Sequence, residues 1–351
     1  MYRALASACV ALSLLATTTW SQTLTWLGIP NSSFNAALDV SADGRVAVGW
    51  AYFDATGSIS AIRWENNRFQ ILGTLGGDWS EALDVSANGN VVVGMSYDAS
   101  GQRRAFRWEN GVMQDLGTLG GTESEAWGVS ADGTVIVGWA RNAAGQRRAF
   151  RWENGVMQDL GTLGDSESFA RTVAANRAVV VGYTFNTDTY RAFRWENGVM
   201  QDLGTLGGDL SAALGACADG TILVGWSFTV LEEQRAFRWT PAGGMEDINL
   251  TYADLLTDGS LLTAAYALSP SGRHIVGQGF NADRVSFEAY LLDTGLPIGD
   301  VNRDGCVDDA DLLQVLVAFG ERGYRNEDLN WDGAIDDADL LEVLFNFGSG
   351  C

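Results

Sequence analysis

Self-similarity constrains this chain more than anything else in it. The pairs Arg63-Trp64, Arg107-Trp108, Arg151-Trp152, Arg194-Trp195 and Arg238-Trp239 recur at spacings of 44, 44, 43 and 44 residues. A second series, Val48-Gly49, Val93-Gly94, Val137-Gly138, Val181-Gly182 and Val224-Gly225, keeps that period, and Val276-Gly277 adds a sixth copy after a longer gap of 52. A period in the forties marks a propeller or a solenoid, in which each unit buries its apolar faces against its neighbours. Within one unit, turn signals at Asp132-Gly133, 142–145, Asn154-Gly155 and 161–164 separate short runs such as Val135-Ile136-Val137 and Ala149-Phe150-Arg151-Trp152. These runs are rich in β-branched and aromatic residues, and two-residue Asn-Gly and Asp-Gly links favour antiparallel hairpins. Each unit therefore reads as a four-stranded meander, one propeller blade.

The ends of the array decide between a closed ring and an open stack. The sixth unit stops after its third strand, at Glu288-Ala289-Tyr290-Leu291. The segment Thr23-Leu24-Thr25-Trp26-Leu27-Gly28 is similar to the fourth-strand sequence Met113-Gln114-Asp115-Leu116-Gly117 but has no first three strands of its own. Donated to the sixth unit, it would close the ring and hide both sheet edges. The expected fold is mainly β, a six-bladed β-propeller over residues 22–296 with an open β-solenoid as the alternative. A small all-α domain of paired calcium loops and helices is expected to follow over 297–351.

Residues 1–21 have the profile of a signal peptide: Arg3 precedes an apolar run over 4–16 that is too short to span a bilayer, with Thr19 and Ser21 flanking a cut before Gln22. Nothing later is apolar for long enough to form a transmembrane helix, so a secreted, extracellular or cell-surface protein is expected. There are 44 acidic against 22 basic side chains, a net charge of −22. This excess argues against nucleic acid or anionic lipid as a partner.

The stretch from Arg104-Ala105-Phe106-Arg107-Trp108-Glu109-Asn110-Gly111 through Val112-Met113-Gln114-Asp115-Leu116-Gly117 resembles the extracellular HAF repeat of bacteria. The resemblance covers nearly all of 23–294 and departs where Arg104, Arg148, Arg191 and Arg235 replace the usual His. It implies a location outside the cell and no particular chemistry. A glycosidase would need two carboxylates converging at one mouth, and none declare themselves: Glu81 and Glu125 are equivalent to each other, as are Glu109, Glu153 and Glu196, so the repeat distributes them. Tyr183, Tyr190 and the lone His274 read as strand residues, and Cys217 as a buried thiol. Repeated Trp and Arg are expected in packing between blades. A carbohydrate or protein ligand would use what breaks the symmetry: Asp78-Trp79, Trp127, Phe169 and the insert over 251–262.

The acidic side chains concentrate at the C-terminus, thirteen against three Arg over 300–351. Two twelve-residue stretches, starting at Asp300 and at Asp328, match each other at a period of 28. Calcium takes six to eight oxygens, and a twelve-residue loop supplies them from positions 1, 3, 5, 7, 9 and 12. In the first loop these are Asp300, Asn302, Asp304, the Cys306 carbonyl, Asp308 and Asp311. In the second they are Asp328, Asn330, Asp332, the Ala334 carbonyl, Asp336 and Asp339, so two calcium ions are expected. Gly305 and Gly333 permit the sharp turn at position 6. Apolar stripes, Leu312, Val315, Leu316, Phe319 and Leu340, Val343, Leu344, Phe347, mark an exiting helix after each loop.

A terminal Asp in place of Glu, with no full entering helix, resembles type I dockerin over essentially all of 300–351. That resemblance implies a cohesin-like partner chosen at loop positions 10 and 11, here Asp309-Ala310 and Asp337-Ala338 where the family often has Ser-Thr. Cys306 and Cys351 read as a disulfide clasping the terminus to the first loop. Together these features give a secreted, non-catalytic binding or scaffold protein. The rival reading is a glycoside hydrolase or accessory protein of polysaccharide catabolism.

Overall fold

The computed structural model describes residues 26–66, 68–187 and 189–351. Five four-stranded antiparallel meanders are followed by one of three strands, and then by two helices. In the third unit the strands Gly120–Val129, Val135–Asn142, Arg147–Glu153 and Val156–Asp159 pair in sequence order. The inner strands of successive units lie side by side, and the turns that follow them are laced together by backbone hydrogen bonds. Ala42 N donates to Ala87 O, Ala87 N to Ala131 O, Asn176 N to Ala218 O and Ala218 N to Pro270 O, at 2.9–3.0 Å.

Each apolar layer sits between two units. Val91, Val93, Ala105 and Leu116 of the second unit meet Ala126, Ile136, Phe150 and Trp152 of the third, and the pattern recurs along the array. Phe106, Phe150, Phe193 and Phe237 are fully buried, and the five repeated tryptophans nearly so. The repeated arginines staple one unit to the next: Arg63, Arg151 and Arg194 donate to the turn carbonyls of Gly89, Arg177 and Gly220, each 26 residues on. They also pair with Glu65, Glu153 and Glu196 of their own hairpins. Trp and Arg are therefore packing residues, as the repeat implied.

The Val-Gly signature has a geometric cause. Every inner strand contains a β-bulge, and beside it the inner backbone presses on the second strand. A Cβ on Gly94 or Gly138 would stand 2.0 Å from the carbonyl oxygen of Glu81 or Glu125. Only glycine fits there.

The ring closure expected from residues 23–28 is not found. The sixth sheet has three strands, Leu261–Leu268, His274–Asn281 and Ser286–Asp293, and nothing among the described residues pairs with the last. Trp26 to Gly28 form no strand, and Thr23 to Thr25 lie outside the described residues. Leu27 and Ile29 instead pack on Ala51, Ile62 and Trp64 of the first unit. They take the place that Leu72 and Leu75 fill against the second. Leu27 and Ile29 thus cap one end of the array. Among the described residues no hydrogen bond or ion pair joins units one and six, and Phe34, Val40, Phe287 and Leu291 of the two end faces are more than half exposed. The expected signal peptide, 1–21, also lies outside the described residues. No helix is long and apolar enough to cross a membrane among those described.

Candidate calcium site

The C-terminal domain is two copies of one half. In each, the loop's ninth residue caps the exiting helix: Asp308 accepts from Ala310 N ahead of Asp309–Ala318, and Asp336 from Ala338 N ahead of Asp337–Phe345, with a capping box completed by Asp311 and Asp339. The halves interlock through the eighth residue. Val307 exchanges backbone bonds with Gly348 and Ser349, and Ile335 with Gly320 and Glu321, so that equivalent residues of the two halves, 28 apart in sequence, make the same bonds. Val301, Val307, Val315, Ile335 and Val343 close the core between them.

Inside the loops the hydrogen bonds repeat bond for bond. Asp300 Oδ2 accepts from Gly305 N and Asp328 Oδ2 from Gly333 N, both at 2.9 Å. Asn302 Oδ1 accepts from Asp304 N at 2.8 Å and Asn330 Oδ1 from Asp332 N at 3.0 Å. Asp304 and Asp332 accept from Cys306 N and Ala334 N. At position 12 the fully buried Asp311 takes Val301 N, Asn302 N and Asp308 N, and Asp339 takes Leu329 N, Asn330 N and Asp336 N. Asp311 Oδ1 and Asp339 Oδ1 each take two of these bonds, while Asp311 Oδ2, Asp339 Oδ2 and the Asp300, Asp304, Asp328 and Asp332 oxygens take one and keep a second lone pair. Arg303 and Trp331 at position 4, with Gly305 and Gly333, have positive φ, which folds the chain around the loop centre.

Burial raises the Asp300 carboxyl above its ordinary range, and the nearby Asp311 and Asp304 add to it. Asp328 is pushed up to about 6 by burial, with Asp339 and Asp332 adding to it. Burial and neighbouring acids thus disfavour the charged form at the first position of each loop. Among the described residues, no group of three or more His, Cys, Asp or Glu side chains is placed so that it could hold a metal ion. A calcium shell also draws on Asn and carbonyl oxygens, here Asn302, Asn330, Cys306 and Ala334, so the oxygen-only donor set fits that ion. Asp309-Ala310 and Asp337-Ala338 are exposed on the first helical turns. Cys306 and Cys351 form the expected disulfide, with Cα atoms 4.6 Å apart.

Three features were not legible in the sequence. The first is a latch between domains: Arg303, in the first loop, donates to Asp219 Oδ1 at 2.8 Å and also contacts Cys217 and Thr221. Asn326 donates to Asp219 Oδ2 at 2.8 Å. Burial works against ionisation of Asp219, yet Arg303 and bonds from Cys217, Asn326 and Thr221 N outweigh it and hold the carboxyl at about 2. Asp132 and Asp43 act electrostatically on Tyr324. The turn of unit five thus meets this domain directly.

The second is a carboxyl pair. Asp39 and Asp84 of neighbouring inner strands both accept from Val85 N at 2.9 Å, and Asp84 also takes Val129 N at 2.7 Å. Burial and the Asp39 charge push Asp84 well up. Both carboxyls are spent on clamping strands together, although Asp39 borders a 610 Å³ recess on the open face of unit one. The third is a run of aromatic contacts from Trp127 through Phe169, Tyr183 and Tyr190 to Trp226. His274 is an exposed strand residue 3.8 Å from Asp293, and the Cys217 thiol is buried.

No family model matches the chain, and no curated protein does. Solved structures are similar in fold at low identity. A structure from work on two prolyl endopeptidases matches with a TM-score of 0.51 and 11% identity, over 75% of this chain and 41% of that one. The β-propeller domain of the Trilobed protease from Pyrococcus furiosus, described as having an open velcro topology, matches with a TM-score of 0.47 and 9% identity over 75% and 83%. TolB from Acinetobacter baumannii matches at 0.44 and 12% over 60% and 53%, so this chain spans about half of that protein's length. The likeness is one of fold alone: blade-like β-meanders in a curved array.

Proposed function

We propose that the protein is an exported, non-catalytic binding or scaffold protein, in which the blade array is the binding body and the C-terminal domain a calcium-dependent docking module for a cohesin-like partner. What supports this reading is the bond-for-bond repetition of two twelve-residue oxygen-donor loops, each capping an exiting helix. One calcium ion would be held by Asp300, Asn302, Asp304, Cys306 O, Asp308 and Asp311, and the other by Asp328, Asn330, Asp332, Ala334 O, Asp336 and Asp339. Calcium neutralises the clustered carboxylates and fixes the helices whose first turns carry Asp309, Ala310, Asp337 and Ala338. These four would meet the partner in either of two orientations, since both halves present the same pair. The Cys306–Cys351 bridge agrees with an oxidising, extracellular setting.

The test is a surface-binding assay of the full chain against cohesin modules, with calcium and with chelator. Calcium-dependent capture, abolished only when Asp309-Ala310 and Asp337-Ala338 are both replaced, is the expected result. Capture indifferent to chelation, or to the double replacement, would refute the docking role.

A further inference from the structure

The six β-bulges each leave one inner-strand residue outside the ladder: Leu38, Leu83, Trp127, Arg171, Leu214 and Tyr266. A bulge re-aims its side chain away from the pleat, and two neighbours in this row meet, the Arg171 guanidinium lying 4.5 Å over the Trp127 ring. Five of the six are apolar or aromatic. Arg171 is the exception, and its setting is unlike that of any other arginine described. Among the described residues it makes no hydrogen bond and no ion pair, and its Nε, like those of Arg103 and Arg147, is buried without a partner. Every other described arginine held away from bulk solvent has such a partner, down to Arg148 with Gln146.

The carboxylate that acts on Arg171 is already occupied. Glu125 accepts from Trp127 Nε1 at 2.8 Å through one oxygen and from Arg103 Nη1 at 2.9 Å through the other. The Tyr183 ring stacks 5.1 Å from Phe169, and its hydroxyl, which burial keeps protonated, donates to no described residue. The guanidinium Nη atoms and the phenol have no protein partner among the described residues and stand open to solvent between aromatic rings, whereas the Arg171 Nε is buried. A carboxylate matches the fork with two parallel hydrogen bonds, and aromatic walls accept the apolar face of the body that carries it.

We propose that Arg171, Tyr183 and Trp127 form a binding site for a carboxylate-bearing small ligand, its body lying along the bulge row between Leu83 and Leu214. This deepens the reading of the array as a binding body and is independent of the calcium loops.

The test uses the full chain with calcium present. Tryptophan fluorescence and calorimetry follow titration with trigalacturonate, with benzoate and with neutral maltotriose. Binding of trigalacturonate or benzoate but not of maltotriose is expected, and which of the two binds identifies the body as saccharide or aromatic. Arg171→Met, which keeps the stem and removes the charge, should weaken binding by about tenfold or more, the scale of a lost charged hydrogen bond. Arg171→Lys, which keeps the charge and loses the fork, should fall between the two and serves alone if the Met variant does not fold. Arg148→Met should bind as the parent does. Failure of both acids to bind, equal binding of maltotriose, or unchanged affinity in the folded Arg171 variants would overturn the site. None of these outcomes bears on calcium or cohesin binding, which fail or succeed at the other domain.

Discussion

The latch between Asp219 and Arg303 can be tested by a substitution the protein already uses. The turn that Asp219 braces is braced by Asn88 and Asn176 in units two and four, so Asp219→Asn keeps the turn and removes the charge together with the Oδ2 acceptor that Asn326 uses. The folded carboxyl at about 2 lies well below its ordinary 3.8. At about 1.4 kcal/mol per unit, this gap amounts to roughly 2–3 kcal/mol shared among all its partners. Arg303 supplies a part of that, so the substitution should cost the C-terminal domain about 1–2 kcal/mol. The sign with pH follows from the depressed value: the stabilisation is complete above about pH 4 and is lost as pH falls toward 2. Urea unfolding of the helices, followed at 222 nm on parent and variant at matched pH and calcium, reads the difference. The variant's midpoint should be lower at pH 7, and the gap should close between pH 4 and pH 2. Equal midpoints at pH 7, or a gap that persists at pH 2, would show that the latch carries no such energy.

Other consequences follow from single positions. Reducing the Cys306–Cys351 bridge, which closes a separation of 45 residues, should lower the stability of the C-terminal domain by up to about 4 kcal/mol, seen as a lower melting temperature in dithiothreitol. Phe150→Ala removes a fully buried ring from the layer between units two and three and should cost about 3–5 kcal/mol in denaturant unfolding. Gly138→Ala drives a methyl into the Glu125 carbonyl. It should destabilise the array far more than Gly111→Ala, where a Cβ meets nothing and the cost is that of a positive φ alone.

The units were legible because a blade is local: its strands, its hairpin turns and the capped loops of the tail all lie within about 45 residues of sequence. The Val-Gly and Arg-Trp signatures marked strand positions correctly, although their reasons, a backbone pressed against a bulge and a staple to the next turn, emerge only in three dimensions. Residues 26–28, the described part of the segment expected to close the ring, add no fourth strand, because likeness to a fourth strand says which face a segment offers and not which neighbour it meets. Leu27 and Ile29 satisfy the first unit's apolar face, and that contact is available without the sixth unit. Asp39 with Asp84, Arg171 over Trp127, and Arg303 with Asp219 were hidden for the same reason. They join residues from different units or domains, and the periodicity that aligns Asp39 with Asp84, and Asp219 with Asp43 and Asp132, does not say which side chains meet.

The most direct test of the account is calorimetric titration of the chelator-stripped, full-length chain with calcium chloride. Two ions should bind per chain, with Asp311→Ala and Asp339→Ala each reducing the stoichiometry to one. A chain that takes up no calcium, or that keeps both ions in these two variants, would contradict the assignment of the paired loops.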